Sequence, residues 1–308
     1  EVAAEQIGTA IDKDKFAETV TKAINGFQSE VDLMKEDCYI LPKYTKDSPE
    51  VAKACEKMNS ELGANITLDF SPNTEVVDSS VISQGITVDD NMQVTFNQDA
   101  VKQYIADLAA KYDTVGKTRN FTTATGNVVQ VEGGGYGWKI DQDGEVAQLT
   151  QEIQSGAQTT REPVYSMRAN SYGVNDLGNT YIEVDLTEQY MWYYQDGNVI
   201  FESDIVSGLA SDPKRKTPPG IFTLYYKKSP DVLRGTKKPD GTYSYEQPVT
   251  YWMPFNGGIG FHDADWQPYF GGDRYLTGGS HGCINLPPEN AGQLYSLIQY
   301  DVPIICFY

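Results

Sequence analysis

The sequence predicts two parts of different secondary structure: an α+β N-terminal domain, then a mainly β C-terminal domain with a sandwich or barrel-like pair of sheets. Its 308 residues are long for one hydrophobic core. Helical and strand patterns are mixed up to about residue 165, and strands dominate afterwards. The polar stretch SMRANSYGVNDLGN separates the two patterns. We therefore predict domains at 1–168 and 169–308.

The N-terminal part combines amphipathic helices with short strands. In DKDKFAETVTKAINGF, apolar residues recur at steps of three and four, which predicts a helix. Further helices are predicted in SPEVAKACEKMNSEL, with Asp47 or Ser48 as N-cap, in NQDAVKQYIADLAAKY, with Asn97 as N-cap, and in EVAQLTQEIQSG. NITLDF and MQVTF alternate as strands do, and NVVQVEGGGYGWKID predicts a strand, a glycine turn and another strand.

The C-terminal part has two hairpin signals. TYIEVDLTEQYMWYYQDGNVIFESDIVSG alternates β-branched and aromatic residues around the turn dipeptide Asp196-Gly197. A second, aromatic-rich hairpin turns at Asp240-Gly241, and we interpret it as a lid over a cleft. The alternative is an ordinary solvated hairpin whose lysines protect a sheet edge. A short helix in ENAGQLYSLIQY and a terminal strand complete the chain.

Charge and hydropathy exclude several classes of partner. The net charge is −19 and the pI is near 4.4, whereas nucleic-acid binding needs a basic surface. An acidic surface also disfavours docking to anionic lipid. No run of about 18 apolar residues predicts a membrane span. The chain begins at Glu1 without a signal-peptide pattern, which predicts a mature or soluble form whose targeting segment lies out of view.

None of the four cysteines belongs to a CxxC pair, so the sequence gives no support to a zinc ribbon or a thioredoxin motif. Cys306 lies in the apolar run VPIICFY and is predicted to be a buried strand residue. Cys38 and Cys55 either form a disulfide or remain free thiols. Both alternatives are open, because spacing alone does not show their geometry.

The segment GGSHGCINLPPE places His281 two positions before Cys283. A cysteine attacks acyl groups as a thiolate, so it needs a base. In an extended strand alternate side chains share a face, which would put this imidazole beside the sulfur. Gly282 keeps bulk away, and the amides of Gly282 and Cys283 are candidate oxyanion donors. His262, in GIGFHDADW, is the other histidine of the chain and is expected to converge on the same cysteine.

Two other interpretations of this segment remain open. In the first, the histidine and the cysteine are packing residues in a turn. In the second, side chains with ligand chemistry hold Zn²⁺: His262, Asp263, Asp265, His281 and Cys283. The H-x-C spacing is poor for a structural zinc site, so we predict no metal.

Longer motifs around this segment resemble the catalytic domain of the L,D-transpeptidases of YkuD type. They are YIEVDLTEQYMWYYQDG, VSGLASDPKRKTPPGIFTL, GIGFHD and GGSHGCINLPPENAGQLY, within residues 181–308. The resemblance implies that Cys283 is the nucleophile, that His281 is its base, and that His262 orients groups in the same pocket. If the second hairpin is a lid over the cleft, four of its aromatic residues are candidates for contact with the substrate: Tyr243, Tyr245, Tyr251 and Trp252.

The resemblance also implies roles for three residues of the turn. Ser280 and Gly282 would shape it, with the Gly282 and Cys283 amides as oxyanion donors. Asn285 stands where many members of the family carry arginine. Its amide can hydrogen-bond a substrate carbonyl or carboxylate but brings no charge.

The implied reaction is acyl transfer on peptidoglycan, with no cofactor. A tetrapeptide stem acylates the cysteine and releases D-alanine, and an amine of an acceptor stem then takes the acyl group to give a 3→3 cross-link. Carbapenem β-lactams are implied inhibitors that acylate the same thiol. The implied location is the extracellular face of a bacterial envelope, secreted or membrane-anchored. The alternatives are L,D-carboxypeptidase activity on the same stems and a non-catalytic wall-binding protein.

The upstream part carries a second resemblance. GNVVQVEGGGYGWKIDQDGEVAQLTQEI is similar to the peptidoglycan-binding domain found ahead of some L,D-transpeptidase domains. Tyr136 and Trp138 lie in this stretch, and we predict core packing for both rather than contact with glycan. Residues 1–55, apart from the helical pattern, match nothing that suggests a role.

Overall fold

The structure, a computed structural model, describes residues 2–6, 8–173 and 175–308. The chain divides into two compact units whose segments alternate along the sequence. The first comprises Glu1–Leu68, Glu75–Tyr104 and Val146–Arg161, and the second comprises Asp69–Thr74, Ile105–Glu145 and Glu162–Tyr308. Residues 105–145 therefore fold with the C-terminal part of the chain. The domain boundary at 168/169 stays a prediction.

The N-terminal half contains five helices and nine strands in its described residues. The helices are α1 Lys13–Asn25, α2 Pro49–Leu62, α3 Ser79–Ile82, α4 Gln98–Tyr112 and α5 Gln142–Gln154. The strands are β1 Asn65–Phe70, β2 Asn73–Val77, β3 Ile86–Val88, β4 Val94–Phe96, β5 Arg119–Thr122, β6 Val128–Val131, β7 Lys139–Ile140, β8 Gln158–Arg161 and β9 Tyr165–Met167. Ser48 occupies the N-cap of α2, and Asn97 accepts a 2.9 Å hydrogen bond from the Asp99 N–H at the start of α4.

Strand pairing in this half departs from the prediction at the glycine-rich stretch. The two predicted strands exist as β6 and β7, but they do not pair with each other. Instead β6 pairs with β5 and β7 pairs with β9, both antiparallel. The three-stranded sheet β2-β1-β8 includes a parallel pair, β1 with β8.

The C-terminal half is mainly strand, as predicted. Its strands are β10 Tyr181–Asp185, β11 Tyr190–Gln195, β12 Asn198–Asp204, β13 Gly220–Thr223, β14 Asp231–Arg234, β15 Glu246–Val249, β16 Trp252–Asn256, β17 Ile259–Asp263, β18 Ile284–Leu286 and β19 Pro303–Phe307. Its helices are α6 Arg274–Gly278 and α7 Pro288–Leu297. Asp196 and Gly197 both have positive φ, which is what the predicted tight turn between β11 and β12 requires.

Two open sheets share one core. The larger has the order β12-β11-β10-β19-β13, and the smaller has the order β16-β17-β18. Side chains from both sheets and from α7 form one buried cluster, which includes Val184, Ile304, Phe261, Ile284 and Leu294. The predicted architecture, α+β followed by a mainly β, sandwich-like domain, is confirmed. The sheets do not close into a barrel.

The opposite face of the larger sheet is covered by residues from 119–136. Tyr136 is 1% exposed and belongs to a cluster with Ile305 and Phe307 of β19. Trp138 is also buried, and its ring stacks on Tyr172 with centroids 4.2 Å apart. The prediction that Tyr136 and Trp138 are core residues is confirmed.

The glycine run makes a close backbone contact with β13 that a side chain would prevent. A Cβ at Gly134 would lie 1.9 Å from the Ile221 carbonyl oxygen. The Ile221 N–H donates to the Gly133 carbonyl, and the Tyr136 N–H donates to the Ile221 carbonyl, each at 3.2 Å. Gly134 also has a φ of +87°, so glycine is required there for both its conformation and its size.

All four cysteines lie in the described part of the chain and are free thiols, so Cys38 and Cys55 are not joined. Cys306 is buried in β19, as predicted. Among the helices that the structure describes, none is long and apolar enough to cross a membrane.

A buried ion pair links the connection after β9 to β5. Arg119 donates from Nε to Asp176 Oδ1 at 2.7 Å and from Nη2 to Asp176 Oδ2 at 2.6 Å. The side chains are 7% and 2% exposed, and Thr114 Oγ1 also donates to the carboxylate. Removing one partner would leave the other charge buried without compensation.

We predict that Asp176→Ala lowers the free energy of unfolding by about 3–5 kcal/mol, since it leaves the buried Arg119 charge without its carboxylate partner. Urea denaturation followed by tryptophan fluorescence measures the change. Glu246→Ala removes the exposed pair with Arg234 and serves as the matched control, with an expected loss below about 1 kcal/mol. Equal losses for both variants would contradict the structural role of the buried pair.

Candidate active site

The segment that carries Cys283 is a turn between α6 and β18, not an extended strand. Strand β18 begins only at Ile284, and Gly282 has a φ of +120°. The prediction that His281 and Cys283 share a strand face is therefore wrong, because the positive φ between them breaks the alternation. Which histidine can serve as a base for the Cys283 thiol therefore depends on the other contacts of the two rings.

The Ser280 hydroxyl holds this turn together. It accepts a hydrogen bond from the Gly282 N–H at 2.9 Å and donates to the Cys283 carbonyl at 2.6 Å. Because the Gly282 N–H is engaged with the Ser280 hydroxyl, it would have to give up this bond to bind an oxyanion, so its role as an oxyanion donor stays a prediction. No acceptor for the Cys283 N–H or for the His281 N–H is found among the described residues, so both amides of the turn are available as donors.

A neighbouring backbone segment, 206–209, pairs with the turn on both sides. The Ser280 N–H donates to the Ser207 carbonyl at 2.9 Å, and the Leu209 N–H donates to the Ser280 carbonyl at 3.1 Å. Val206 and Asn285 exchange both of their backbone hydrogen bonds, at 3.0 and 2.9 Å. These four bonds fix the backbone before and after the cysteine.

Thr217 ties the same two segments together through its side chain and is fully buried. Its hydroxyl accepts from the Gly208 N–H at 2.9 Å and donates to the Gly282 carbonyl at 2.7 Å. Both partners are backbone groups that need a partner when buried. Sequence reasoning missed Thr217, which lies in the quoted motif VSGLASDPKRKTPPGIFTL but carries no reactive group.

Arg215 holds the carbonyls of the turn from the other side. Its Nε donates to the Ser280 carbonyl at 3.1 Å, and its Nη2 donates to the Gly279 carbonyl at 2.8 Å. Its positive charge also lowers the pKa of His281, after the larger effect of burial, while Asp212 acts in the opposite direction. Sequence reasoning missed this arginine as well.

A cavity of about 270 Å³ opens beside the turn. Six residues predicted from the sequence line it: His262, Ser280, His281, Cys283, Asn285 and the lid candidate Tyr245. The cavity therefore brings together the thiol and both histidines of the chain. Its other lining residues are Arg215, Leu233, Gln247, Trp266, Gln267, Arg274, Gly278 and Gly279.

The Cys283 thiol is protonated at neutral pH. Burial raises its pKa to about 11, and a hydrogen bond with the Gly260 backbone opposes this shift only in part. The residue as a whole is half-buried and its sulfur lines the cavity. The desolvation therefore comes from the protein atoms on the side of the sulfur that faces away from the cavity. The thiol lies 3.6 Å from the Gly258 carbonyl, to which it donates. A base is needed to remove its proton during attack.

His262 is buried and held in one orientation. It lies in β17, opposite Asn285 of β18, and its ring stacks on Trp266 with centroids 5.8 Å apart. Its Nδ1 is 2.8 Å from the Asp263 carbonyl, which can only accept, so Nδ1 carries the proton and Nε2 keeps its lone pair. Burial lowers the pKa of His262, so the ring is neutral at pH 7.

His281 is held less firmly. The residue is exposed, and its ring stacks on Tyr245 at 5.0 Å between centroids with an interplanar angle of 21°. No hydrogen bond orients the ring among the residues that the structure describes. Burial of part of the ring lowers its pKa. It lines the cavity from the outer side of the turn.

Asn285 presents an unused acceptor to the cavity. The residue is 1% exposed, and its Oδ1 has no hydrogen-bond partner within the described chain. A buried polar atom without a partner costs free energy unless a ligand supplies one. The prediction of a substrate-binding role for Asn285 is compatible with this position.

The aromatic hairpin contributes to the cavity through β14 and β15. Of its four predicted aromatic contacts, Tyr245 lines the cavity, while Trp252 is buried beside His262. Tyr251 packs against Tyr295 next to the core, and Tyr243 lies under Arg234.

Within the described residues, no group of three or more histidine, cysteine, aspartate or glutamate side chains could hold a metal ion. The five residues of the alternative zinc interpretation therefore do not form such a group. The Asp263 carboxylate instead accepts hydrogen bonds from the N–H groups of Thr250 and Tyr251.

Comparison with known proteins identifies relatives of both parts of the chain. A family model described as "L,D-transpeptidase catalytic domain" matches residues 179–306, and one described as "Putative peptidoglycan binding domain" matches residues 44–161. The crystal structure of a mutant Enterococcus faecium L,D-transpeptidase is 38% identical, covers 83% of this chain and 100% of its own, and has a TM-score of 0.65. The Ldtfm–avibactam carbamoyl enzyme is 38% identical, covers 83% and 98%, and has a TM-score of 0.66. No curated protein matches the chain.

The chain belongs to the L,D-transpeptidase family, whose members are enzymes that act on peptidoglycan. The resemblance noted from the sequence, a YkuD-type catalytic domain after a peptidoglycan-binding domain, is confirmed.

We predict that Thr217→Val destabilises the protein by about 2 kcal/mol or more, since it leaves a buried N–H and a buried carbonyl without partners. It should also change the rate at which iodoacetamide alkylates Cys283, because the turn loses one of its supports. Urea denaturation and mass spectrometry measure the two effects. Thr217→Ser keeps the hydroxyl and should resemble the parent; similar behaviour of the valine variant would remove Thr217 from the support of the turn.

Proposed function

We propose that this chain is a peptidoglycan L,D-transpeptidase that forms 3→3 cross-links through a thioester at Cys283. The acyl donor is a tetrapeptide stem, and D-alanine is the leaving group. The observation that supports this most directly is the cavity that holds one free thiol and both histidines of a chain in this family. Because peptidoglycan is the substrate, the proposal includes action at the extracellular face of a bacterial envelope, as a secreted or membrane-anchored protein.

The contacts of the two histidines favour His262 as the base. Its Nδ1–H is bonded to a backbone carbonyl, which leaves the Nε2 lone pair to accept a proton. Its lowered pKa keeps the ring neutral, and the Cys283 thiol, with its raised pKa, keeps its proton until attack. The sequence assigned this role to His281, both from the family resemblance and from an extended strand that the structure does not contain. We assign His281 to the substrate side of the cavity, together with Tyr245.

The catalytic cycle follows from these positions. Cys283 Sγ attacks the carbonyl carbon of the third stem residue while His262 Nε2 takes the thiol proton. The oxyanion that forms is bound by the Cys283 N–H. The carbon–nitrogen bond then breaks, the imidazolium returns its proton to the departing amine, and D-alanine leaves a thioester behind. An acceptor amine attacks the thioester, loses one proton through the same imidazole, and releases the thiol.

Water can replace the amine in the second half of this cycle and give the L,D-carboxypeptidase outcome. The thioester is common to both reactions, so the site favours neither outcome. Product analysis with an acceptor amine present separates them: a cross-linked dimer indicates transfer, and a free tripeptide alone indicates hydrolysis.

The relative with an avibactam carbamoyl group suggests a direct test of the thiol. We predict that the parent protein gains one covalent adduct with a carbapenem and one with avibactam, and that Cys283→Ala gains neither. Intact mass spectrometry measures this, with Cys55→Ala, which removes a half-buried thiol outside the cavity, as the control that should still react. Absence of any adduct on folded, reduced parent would favour a non-catalytic wall-binding protein.

The two histidines give different predictions for the acylation rate. His262→Ala should slow carbapenem acylation by about 10²–10⁴-fold, the usual contribution of a general base. His281→Ala should slow it by no more than about tenfold, the effect of one lost contact. Stopped-flow or quenched mass spectrometry gives both rates. The reverse order would return the base to His281.

The lowered pKa of His262 also sets the pH dependence of acylation. Neutral imidazole is the active form, so the rate should fall as the pH drops through a value below the ordinary 6.5 of histidine. Between that value and the raised pKa of Cys283, near 11, the rate should stay level, because both groups are neutral throughout. A bell-shaped profile centred near neutrality would indicate a thiolate–imidazolium pair instead.

A further inference from the structure

The active-site cavity is cationic in a strongly acidic protein. The chain carries 43 acidic and 24 basic residues. Two arginines, Arg215 and Arg274, line the cavity, yet no aspartate or glutamate is among the described residues that line it. Neither arginine forms an ion pair with a described carboxylate. The catalytic cycle, with its neutral thiol and neutral base, leaves both charges without a role.

Arg274 is the freer of the two cations and is nevertheless held in place. Its Nε donates to Gln267 Oε1 at 2.8 Å, and Gln267 Nε2 donates to the Gly278 carbonyl at 3.1 Å. The guanidinium lies across Gly278, where an added Cβ would come within 1.9 Å of Arg274 Cζ. Both terminal nitrogens of Arg274 lack acceptors among the described residues. The guanidinium is thus positioned with its two outer N–H groups unused.

Two acidic side chains close in sequence to these arginines are engaged elsewhere. Asp273 Oδ1 accepts from the Tyr269 hydroxyl at 3.1 Å, and Asp212 Oδ1 accepts from the Lys214 N–H at 3.0 Å. Arg215 already donates hydrogen bonds from Nε and Nη2 to carbonyls of the turn. A ligand carboxylate would therefore find its paired donors on Arg274, with Arg215 adding charge at a distance. Paired donation from arginine to a carboxylate is charge-assisted and about twice as strong as hydrogen bonding between neutral groups.

We propose that Arg274 binds the terminal carboxylate of the residue that leaves the donor peptide. This assignment rests on the proposed function. The departing residue provides the nitrogen of the scissile bond, and its carboxylate is separated from that nitrogen by one carbon atom. It therefore lies within the same small cavity as Cys283 during attack. A donor longer by one residue has a neutral amide at this position and lacks the partner for Arg274, so the contact selects donors that end one residue after the scissile bond.

Binding to a protein without its thiol tests this assignment separately from catalysis. The full chain with Cys283→Ala is titrated with two synthetic tetrapeptides that differ only at the C-terminus, one ending in D-alanine and one in D-alaninamide. We expect the acid to bind about 10- to 100-fold more tightly, the effect of one charge-assisted hydrogen-bonded pair. Isothermal titration calorimetry gives both dissociation constants.

Variants at the arginine complete the test. Adding Arg274→Gln should bring the two dissociation constants to within about twofold of each other, and Arg274→Lys should keep part of the preference because it keeps the charge. Gly278→Ala should act like Arg274→Gln by displacing the guanidinium. Arg168→Gln, which removes an exposed pair with Glu162, is the matched control and should leave the preference intact.

The outcomes separate the two proposals. Equal affinity for the acid and the amide overturns the role of Arg274. A preference for the acid that remains in Arg274→Gln and in Gly278→Ala overturns it as well. Both conclusions hold whatever the activity of the parent. Turnover adds a second readout in the parent thiol protein. Arg274→Gln should raise KM for the acid about 10-fold or more while the rate of iodoacetamide alkylation of Cys283 stays unchanged. A parent that binds the acid selectively but transfers nothing contradicts the transpeptidase function and leaves the carboxylate site supported.

Discussion

The backbone pairing between 206–209 and the turn around Cys283 is the constraint on which the site depends. The turn itself has little regular structure, because Gly282 takes a conformation that ends any strand. Its position is set from outside, by two pairs of backbone hydrogen bonds and by the Thr217 hydroxyl. The segment 206–209 follows directly after β12 of the larger sheet, whereas the turn leads into β18 of the smaller one. The Cys283 sulfur is thus held where the two sheets of the sandwich are joined.

Much of the fold could be predicted because local chemistry determines it. Asp196-Gly197 was recognisable as a turn, since two consecutive positive φ angles favour that dipeptide. The partners of β6 and β7 could not be predicted, because pairing depends on contacts between residues distant in sequence. The same limit applied to Tyr136: its aromatic ring was correctly expected in the core, but not which sheet face it would cover.

The candidate site, like the fold, was predictable from the sequence only in part. The thiol and both histidines were identified by their chemistry, and the structure places all three on one cavity. The relation between them was not predictable, because the H-x-C spacing has one meaning in a strand and another in a turn with a positive φ. A signal was present: the residue between them is glycine, which is the residue most suited to leave the strand conformation. Thr217 and Arg215 gave no comparable signal, since their role is to hold backbone groups.

The close contact of Gly134 with β13 has a consequence for the behaviour of the protein in solution. Strand β13 is the last strand of the five-stranded sheet, and a terminal strand exposes backbone groups that can pair with another molecule. The glycine run occupies the Ile221 N–H and carbonyl from that side. The chain therefore carries its own cap for this margin of the sheet. Loss of this contact would leave both groups free to pair with another molecule, although the glycine run lies more than 80 residues before the strand that it protects.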